Sequence, residues 1–304
     1  MSVKIENDVL VVSIKKRGAE LHSLKSKKTG IDYIYHTFPP MFCGSAPILF
    51  PIVGRVKNNK YIYDGHEYDM HIHGFVCFQK FEVYEKYDDK VTFLLSSQGR
   101  FVEIYPFEFE LYVTYELVNN SLMVSYKVKN MSDKDMYFSI GSHPAFTCPI
   151  DGDKRNQYYL YFDGIDKLDR SKIDMSCGLL YDDKYIMELE SIENSEKGLS
   201  GGVLPIADDL FAEDALVIEN HQTHLVSLLM PDKTPYLSVK FEAPLFGIWS
   251  LGDRVAPFVC IEPWYGRCDK KDYEGELKDR EWINILTSGN EFNSNYTIIC
   301  DKES

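Results

Sequence analysis

The sequence predicts an all-β fold, a large antiparallel β-sandwich with few and short helices, and three observations carry that prediction. Aromatic residues make up 14% of the chain, with 21 Tyr and 18 Phe, and such side chains favour pleated surfaces where they pack against cross-strand neighbours. Apolar residues recur with a period of two along many short runs. Sustained i, i+3, i+4, i+7 patterns, the mark of amphipathic helices, are scarce.

In chain order, strands are expected at 9–15, 31–36, 81–84 and 91–96. Then comes the clearest case. Phe107, Phe109, Leu111, Val113 and Tyr115 alternate with polar or half-polar positions, Asn119-Asn120-Ser121 supplies a turn, and Leu122, Val124, Tyr126 and Val128 resume the alternation. Residues 107–130 therefore read as a hairpin. Further strands are expected at 136–140, 158–162, 215–219, 224–230, 236–242, 247–250, 258–262 and 296–300, separated by turn chemistry such as Lys28-Thr29-Gly30, Asp163-Gly164 and Pro231-Asp232-Lys233-Thr234-Pro235. The loosest stretch, 191–202, is too short to separate one core from another, and no linker, repeat or heptad run interrupts the series. One domain over residues 1–304 follows.

Composition narrows the function. Thirty-three Lys and Arg against 47 Asp and Glu give a net charge of −14, which disfavours nucleic acid or an anionic membrane as partner, since both need clustered cations. The opening Met1-Ser2-Val3-Lys4-Ile5-Glu6 has no cationic region followed by an apolar one, and no run nears the ~20 apolar residues of a membrane helix. A cytoplasmic protein is expected. Seven cysteines, at positions 43, 77, 148, 177, 260, 268 and 300, include no Cys-x-x-Cys and read as reduced, mostly buried thiols. No residue pattern specifies an oligomeric state.

Phosphate-cradling motifs of the Gly-x-x-x-x-Gly-Lys-Ser/Thr and Gly-x-Gly-x-x-Gly kinds are missing, as is a Gly-x-Ser-x-Gly elbow. Adjacent Ser142 and His143 point to opposite faces of an extended chain and make no nucleophile–base pair. His71-Ile72-His73 would set two imidazoles on one face of a strand, as a metal site needs, but Cys77 and Phe78 stand where a third, carboxylate ligand is expected. Three other places combine chemistry with an abrupt turn at a strand end: His73-Gly74-Phe75, Gly141-Ser142-His143-Pro144-Ala145-Phe146 and Ile261-Glu262-Pro263-Trp264. A proline after His143 and after Glu262 drives each into extended geometry and fixes where its side chain points. Taken singly, Glu262 reads first as a solvated carboxylate at a rim and His143 as a hydrogen-bonded structural histidine. Arg55 reads as a surface cation or as a fork-shaped donor for hydroxyl or anionic oxygens.

Together, Ala46-Pro47-Ile48-Leu49-Phe50-Pro51-Ile52-Val53-Gly54-Arg55, His73-Gly74-Phe75, the 141–146 segment and Ile261-Glu262-Pro263-Trp264 resemble, in order, the aldose 1-epimerase (galactose mutarotase) family, above all its LacX-like branch. The resemblance runs from about Val9 to Cys300 and implies a galactose mutarotase-like β-sandwich. It also implies that Glu262 is the general base and His143 the general acid, that His73 and Arg55 bind substrate, and that Asp214, within Phe211-Ala212-Glu213-Asp214-Ala215, contacts sugar hydroxyls.

The implied activity interconverts the α and β anomers of an aldohexose. A base removes the O1 proton while an acid protonates O5, the ring opens, and closure reverses the roles. Ordinary pKa values of about 4.3 for Glu and 6.5 for His suit that exchange near neutral pH, with no metal or redox cofactor. Trp249, Trp264 or Phe75 would pack on the apolar face of the sugar. Two alternatives stand beside it: a hexose-6-phosphate 1-epimerase with Arg55, Lys57 and Arg267 available for the phosphate, and a non-catalytic carbohydrate-binding sandwich.

Overall fold

The strongest alternating run forms the hairpin it predicts. In the computed structural model, whose described residues are 2–36, 44–252 and 256–303, the strands Phe109–Val118 and Ser121–Asn130 pair antiparallel with Tyr115 opposite Val124, and every second side chain is buried. Cys43 lies outside the described residues. The hairpin sits within a ten-stranded sheet that runs, edge to edge, Glu190–Asn194, Leu199–Pro205, Tyr159–Asp163, Leu225–Leu229, Pro235–Phe241, Glu291–Ile299, Ser121–Asn130, Phe109–Val118, Lys90–Ser96 and Glu82–Lys86.

An eight-stranded sheet forms the other layer of the β-sandwich. Its path is Leu179–Glu188, Lys167–Asp174, Leu216–Ile218, Leu245–Trp249, Phe258–Tyr265, Ile140–Ser142 and Ile48–Leu49, with Ala145–Thr147 also pairing to Phe258–Tyr265. The largest apolar cluster draws Leu111 and Val113 from the first sheet and Ile218, Phe246, Ile248, Val259 and Ile261 from the second. Because side chains alternate across a strand, the residues between these positions, Val217, Gly247, Trp249, Cys260 and Glu262, face away from the inter-sheet core. That outward face carries two small clusters of its own, one around Trp264, Val217 and Cys268 and one around Cys260 and Phe258. Helical segments among the described residues are 3₁₀ turns such as Val76–Phe78, and none there is long and apolar enough to cross a membrane.

The expected strand at 31–36 does not form. Asp32 instead accepts the Ser23 hydroxyl at 2.6 Å and the backbone N–H groups of Leu24 and Ile34, a local alternative to ladder pairing, and only single bridges remain at Asp32 and Ile34. The run at 136–140 splits: Met136–Phe138 pairs with Asn284–Leu286, and Ile140–Ser142 joins the eight-stranded sheet. The stretch at 191–202 is not loose; it falls in the edge strand Glu190–Asn194 and its neighbour Leu199–Pro205. Gly201 is needed there, since a Cβ would overlap the carbonyl oxygen of Phe162. Nor does the chain turn at Glu262-Pro263, because Phe258–Tyr265 is one continuous strand.

Candidate active site

One strand and an interruption in its neighbour build the centre. Phe258–Tyr265 pairs along one side with Leu245–Trp249, Gly247 opposite Glu262. On its other side Ala145–Thr147 covers Phe258 to Cys260 and Ile140–Ser142 covers Trp264 and Tyr265. His143-Pro144 leaves the ladder between those two segments; the proline has no N–H to pair, and the His143 N–H goes instead to the Pro47 carbonyl at 3.1 Å. Pro263 falls beside the same gap, which is where a proline is tolerated within a sheet. His143 is thereby set across from Glu262, with its Nε2 3.3 Å from Glu262 Oε1.

The pair lines a cavity of about 210 Å³ on the outward face of the eight-stranded sheet, and Arg55, His73 and Asp214 line it too. All five residues expected from the sequence thus meet in one place. Glu262 is 1% exposed and His143 4%, so the expectation of a solvated rim carboxylate is corrected: the outward face is roofed by loops, and the carboxylate lies at the bottom of the hollow. His73 is clamped to Gly54 twice, its N–H donating to the Gly54 carbonyl at 2.7 Å and its Nδ1 accepting the Gly54 N–H at 3.1 Å. With Nδ1 occupied as an acceptor, the neutral ring carries its proton on Nε2. Gly54 takes φ +71°, and a Cβ there would stand 2.6 Å from Cys268 Cβ, so only glycine lets the loop lie this close. Arg55 donates through one terminal nitrogen to Asn59 and keeps a buried Nε without a partner.

Trp264 forms one wall. Its indole lies over two glycines of the flanking strands: a Cβ on Gly141 would come within 2.7 Å of Trp264 Cδ1, and one on Gly247 would overlap the six-membered ring. Trp249 forms another, edge-on to His143 with ring centroids 5.5 Å apart. Phe75 does not take part; it is buried in the inter-sheet core against Phe101 and Phe109, because the turn at Gly74 sends it inward. The sequence pointed to the two tryptophans but not to Cys260, Cys268 or Val217, whose approach depends on how the outward faces of separate strands come together.

Burial governs the electrostatics. It pushes the Glu262 carboxyl well above the usual range, opposed by the nearby Trp264 indole and reinforced by Asp214. It pushes His143 well below its ordinary value, with His73 adding to the fall. Asp214 is raised for the same reason, against the Ala215 N–H and Trp249. Desolvation takes His73 down to about 4, with the Arg55 guanidinium contributing. Burial thus favours the uncharged forms of Glu262 and His143 over the carboxylate and imidazolium that ordinary pKa values suggest, and the two arrangements carry the same total number of protons. Atoms 3.3 Å apart can exchange one.

Other expectations are corrected. His71 and His73 share no strand: His73 adopts φ +64° in a turn, which puts it in the cavity wall and leaves His71 exposed. Lys57 and Arg267 do not join Arg55. Lys57 pairs with Glu274, and buried Arg267 donates to Glu219 at 2.7 Å and pairs with Glu281. Burial works against the Glu219 charge, but Arg267 outweighs it and keeps this carboxyl below its usual value. Cys77, Cys148, Cys260, Cys268 and Cys300 are buried and Cys177 is half-buried, as expected.

Comparison with known proteins shows the family. The family model of aldose 1-epimerases matches residues 1–163. The plasmid-encoded LacX protein of Lactococcus lactis subsp. lactis is 30% identical over 291 residues, covering 93% of this chain and 94% of that protein. The chain belongs to the aldose 1-epimerase family. A galactose mutarotase related enzyme from Lactobacillus acidophilus superposes with a TM-score of 0.89 at 33% identity, over 98% of this chain and 97% of that one. A galactose mutarotase-like protein from Lactobacillus casei gives 0.87 at 26% identity, over 98% and 99%. Membership in this epimerase family and the mutarotase-like neighbours support a role in sugar epimerisation.

Proposed function

We propose that this member of the aldose 1-epimerase family is a mutarotase for a free aldohexose, working by general acid–base ring opening within one domain that spans residues 1–304. The observation that carries the reading is the 3.3 Å contact between His143 Nε2 and Glu262 Oε1 in a cavity shared with Arg55, His73 and Asp214. The sugar sits over the pair, with O1 towards Glu262 and O5 towards His143. Hydrogen bonds from sugar hydroxyls favour the ionised carboxylate, so binding draws the shared proton from Glu262 to His143. Glu262 then takes the proton of O1 and His143 gives one to O5. The C1–O5 bond breaks, O1 becomes a carbonyl oxygen, and C1 turns about its bond to C2. Reclosure on the other face returns a proton to O1 from Glu262 and takes one from O5 to His143.

His73, neutral with Nε2–H outward, and Arg55 donate to hydroxyls, Asp214 accepts from them, and Trp249 or Trp264 covers an apolar sugar face. A free sugar is favoured over its phosphate because Arg55 is the one Lys or Arg lining the cavity among the described residues. Polarimetry or NMR on freshly dissolved α-glucose, α-galactose and their 6-phosphates tests the reading. Acceleration with free sugars that disappears in Glu262→Gln and His143→Asn is expected. Faster reaction of the phosphates would replace the substrate assignment, and sugar binding without acceleration would make the protein a carbohydrate-binding sandwich.

A further inference from the structure

The Phe258–Tyr265 strand carries a third chemical group on the face that bears Glu262. Cys260 precedes it by two residues, the spacing that returns a side chain to the same side of a strand. The Cys260 sulfur, a carboxylate oxygen of Glu262 and a ring nitrogen of His143 all lie within 4.8 Å of one another. The thiol has no role in the acid–base exchange described above. Glu262 Oε2, on a residue 1% exposed, makes no hydrogen bond of ordinary geometry, and the nearby Trp264 indole is what favours its charge.

We propose that Cys260, His143 and Glu262 bind a soft divalent cation such as Zn²⁺, and that its binding excludes the sugar. Thiolate, imidazole and carboxylate together are a donor set that suits Zn²⁺, whereas Mg²⁺ selects oxygen ligands. Bond lengths of about 2.0–2.3 Å place tetrahedral zinc ligands roughly 3.3–3.6 Å apart. The His143–Glu262 separation of 3.3 Å already meets that, and bringing all three donors within reach takes side-chain adjustments on the order of an ångström. Three protein ligands leave a fourth position open towards the cavity. The bound cation neutralises the carboxylate and occupies the lone pairs that would otherwise handle the O1 and O5 protons. Cation binding stands on the donor geometry alone; the exclusion of sugar rests on the proposed mutarotase function.

The test titrates the reduced, full-length protein with Co²⁺, following the near-ultraviolet thiolate-to-cobalt band, and with Zn²⁺ by calorimetry. One Zn²⁺ per chain and a clear band are expected for wild type and for Cys177→Ser, which removes the half-exposed thiol. Cys260→Ser, with Cys260→Ala as a second variant, should lose the band and bind Zn²⁺ at least ~10-fold more weakly. Either variant keeping the band and full affinity while folded overturns the proposal, as does a wild type without both. Polarimetry then separates the two readings. Zn²⁺ should stop wild-type mutarotation, a chelator should restore it, and Cys260→Ser should need at least ~10-fold more Zn²⁺. A cobalt band in a protein that accelerates no sugar sinks the mutarotase reading and leaves the cation site standing; mutarotation indifferent to Zn²⁺ in a protein that shows the band overturns the exclusion of sugar and leaves the mutarotase reading standing.

Discussion

His143 Nε2 stands 3.3 Å from Glu262 Oε1, with both side chains withdrawn almost wholly from solvent. Two groups this close act as one proton-exchanging unit, so removing either should cost nearly as much as removing both. Glu262→Gln and His143→Asn are each expected to lower kcat by about 10²–10⁴-fold, and the double variant little further. Polarimetry measures this; a single variant keeping more than a tenth of wild-type kcat would rule out the paired role.

Glu262 also taxes stability. Its folded pKa lies well above the ordinary value of 4.5 because burial disfavours the charge. Below that ordinary value both folded and unfolded chains hold the proton. As pH rises beyond it the unfolded chain ionises and the folded one does not, so stability falls until the folded pKa is passed. Gln has no proton to lose. The difference in Tm between Glu262→Gln and wild type should therefore grow in the variant's favour as pH rises above 4.5, each pH unit adding up to about 1.4 kcal/mol until the folded pKa is passed. A difference that stays flat or shrinks contradicts the buried, neutral carboxyl.

His73 gives the opposite slope. Its folded pKa is down to about 4, first through desolvation and then through Arg55, so between pH 6.5 and 4 the unfolded chain binds a proton that the folded one refuses. Stability drains as pH falls through that window. His73→Gln should flatten the acid limb of Tm against pH, and because it removes a hydroxyl donor and not the acid–base pair, it should raise KM more than it lowers kcat. A larger fall in kcat than rise in KM would move His73 into the chemistry.

Much of this was legible in the sequence wherever a local rule decided the outcome. Period-two alternation located the hairpin at 107–130, the ordered motifs carried Arg55, His73, His143 and Glu262, and the family resemblance added Asp214; the fold gathers all five into one cavity. What the sequence hid was non-local. Whether Glu262 was exposed depended on loops roofing the outward face. Whether Arg267 was available depended on Glu219, 48 residues away in the chain. The strand at 31–36 failed because the Asp32 side chain captured backbone N–H groups, a competition that alternation does not register.

Gly247 is the cross-strand partner of Glu262, and a Cβ there would overlap the Trp264 ring. Gly247→Ala must push the indole into the cavity or out of its seat, at about 1–3 kcal/mol of overpacking, and should raise KM at least several-fold. Trp264→Phe makes room. The double variant Gly247→Ala/Trp264→Phe should therefore be more stable than the sum of the single changes predicts, a coupling that a thermodynamic cycle measures; strict additivity would mean the glycine is not there for the indole.

Arg267 distinguishes a structural cation from a phosphate grip. It is 4% exposed and bonds Glu219 at 2.7 Å and the Cys268 carbonyl at 2.8 Å, while the Trp282 indole donates to the same Glu219 oxygen at 2.9 Å. Arg267→Met leaves Glu219 buried without its main counter-charge, a loss of about 3–5 kcal/mol, which denaturant unfolding would register. Because the guanidinium is spent on that network and does not line the cavity, the ratio of kcat/KM for glucose to that for glucose 6-phosphate should not move. Arg55→Met removes the cation that does line the cavity, so it should raise KM for the free sugar with little loss of stability. If Arg267→Met instead selectively abolished turnover of the phosphate, Arg267 would belong to a phosphate subsite and the free-sugar assignment would fall.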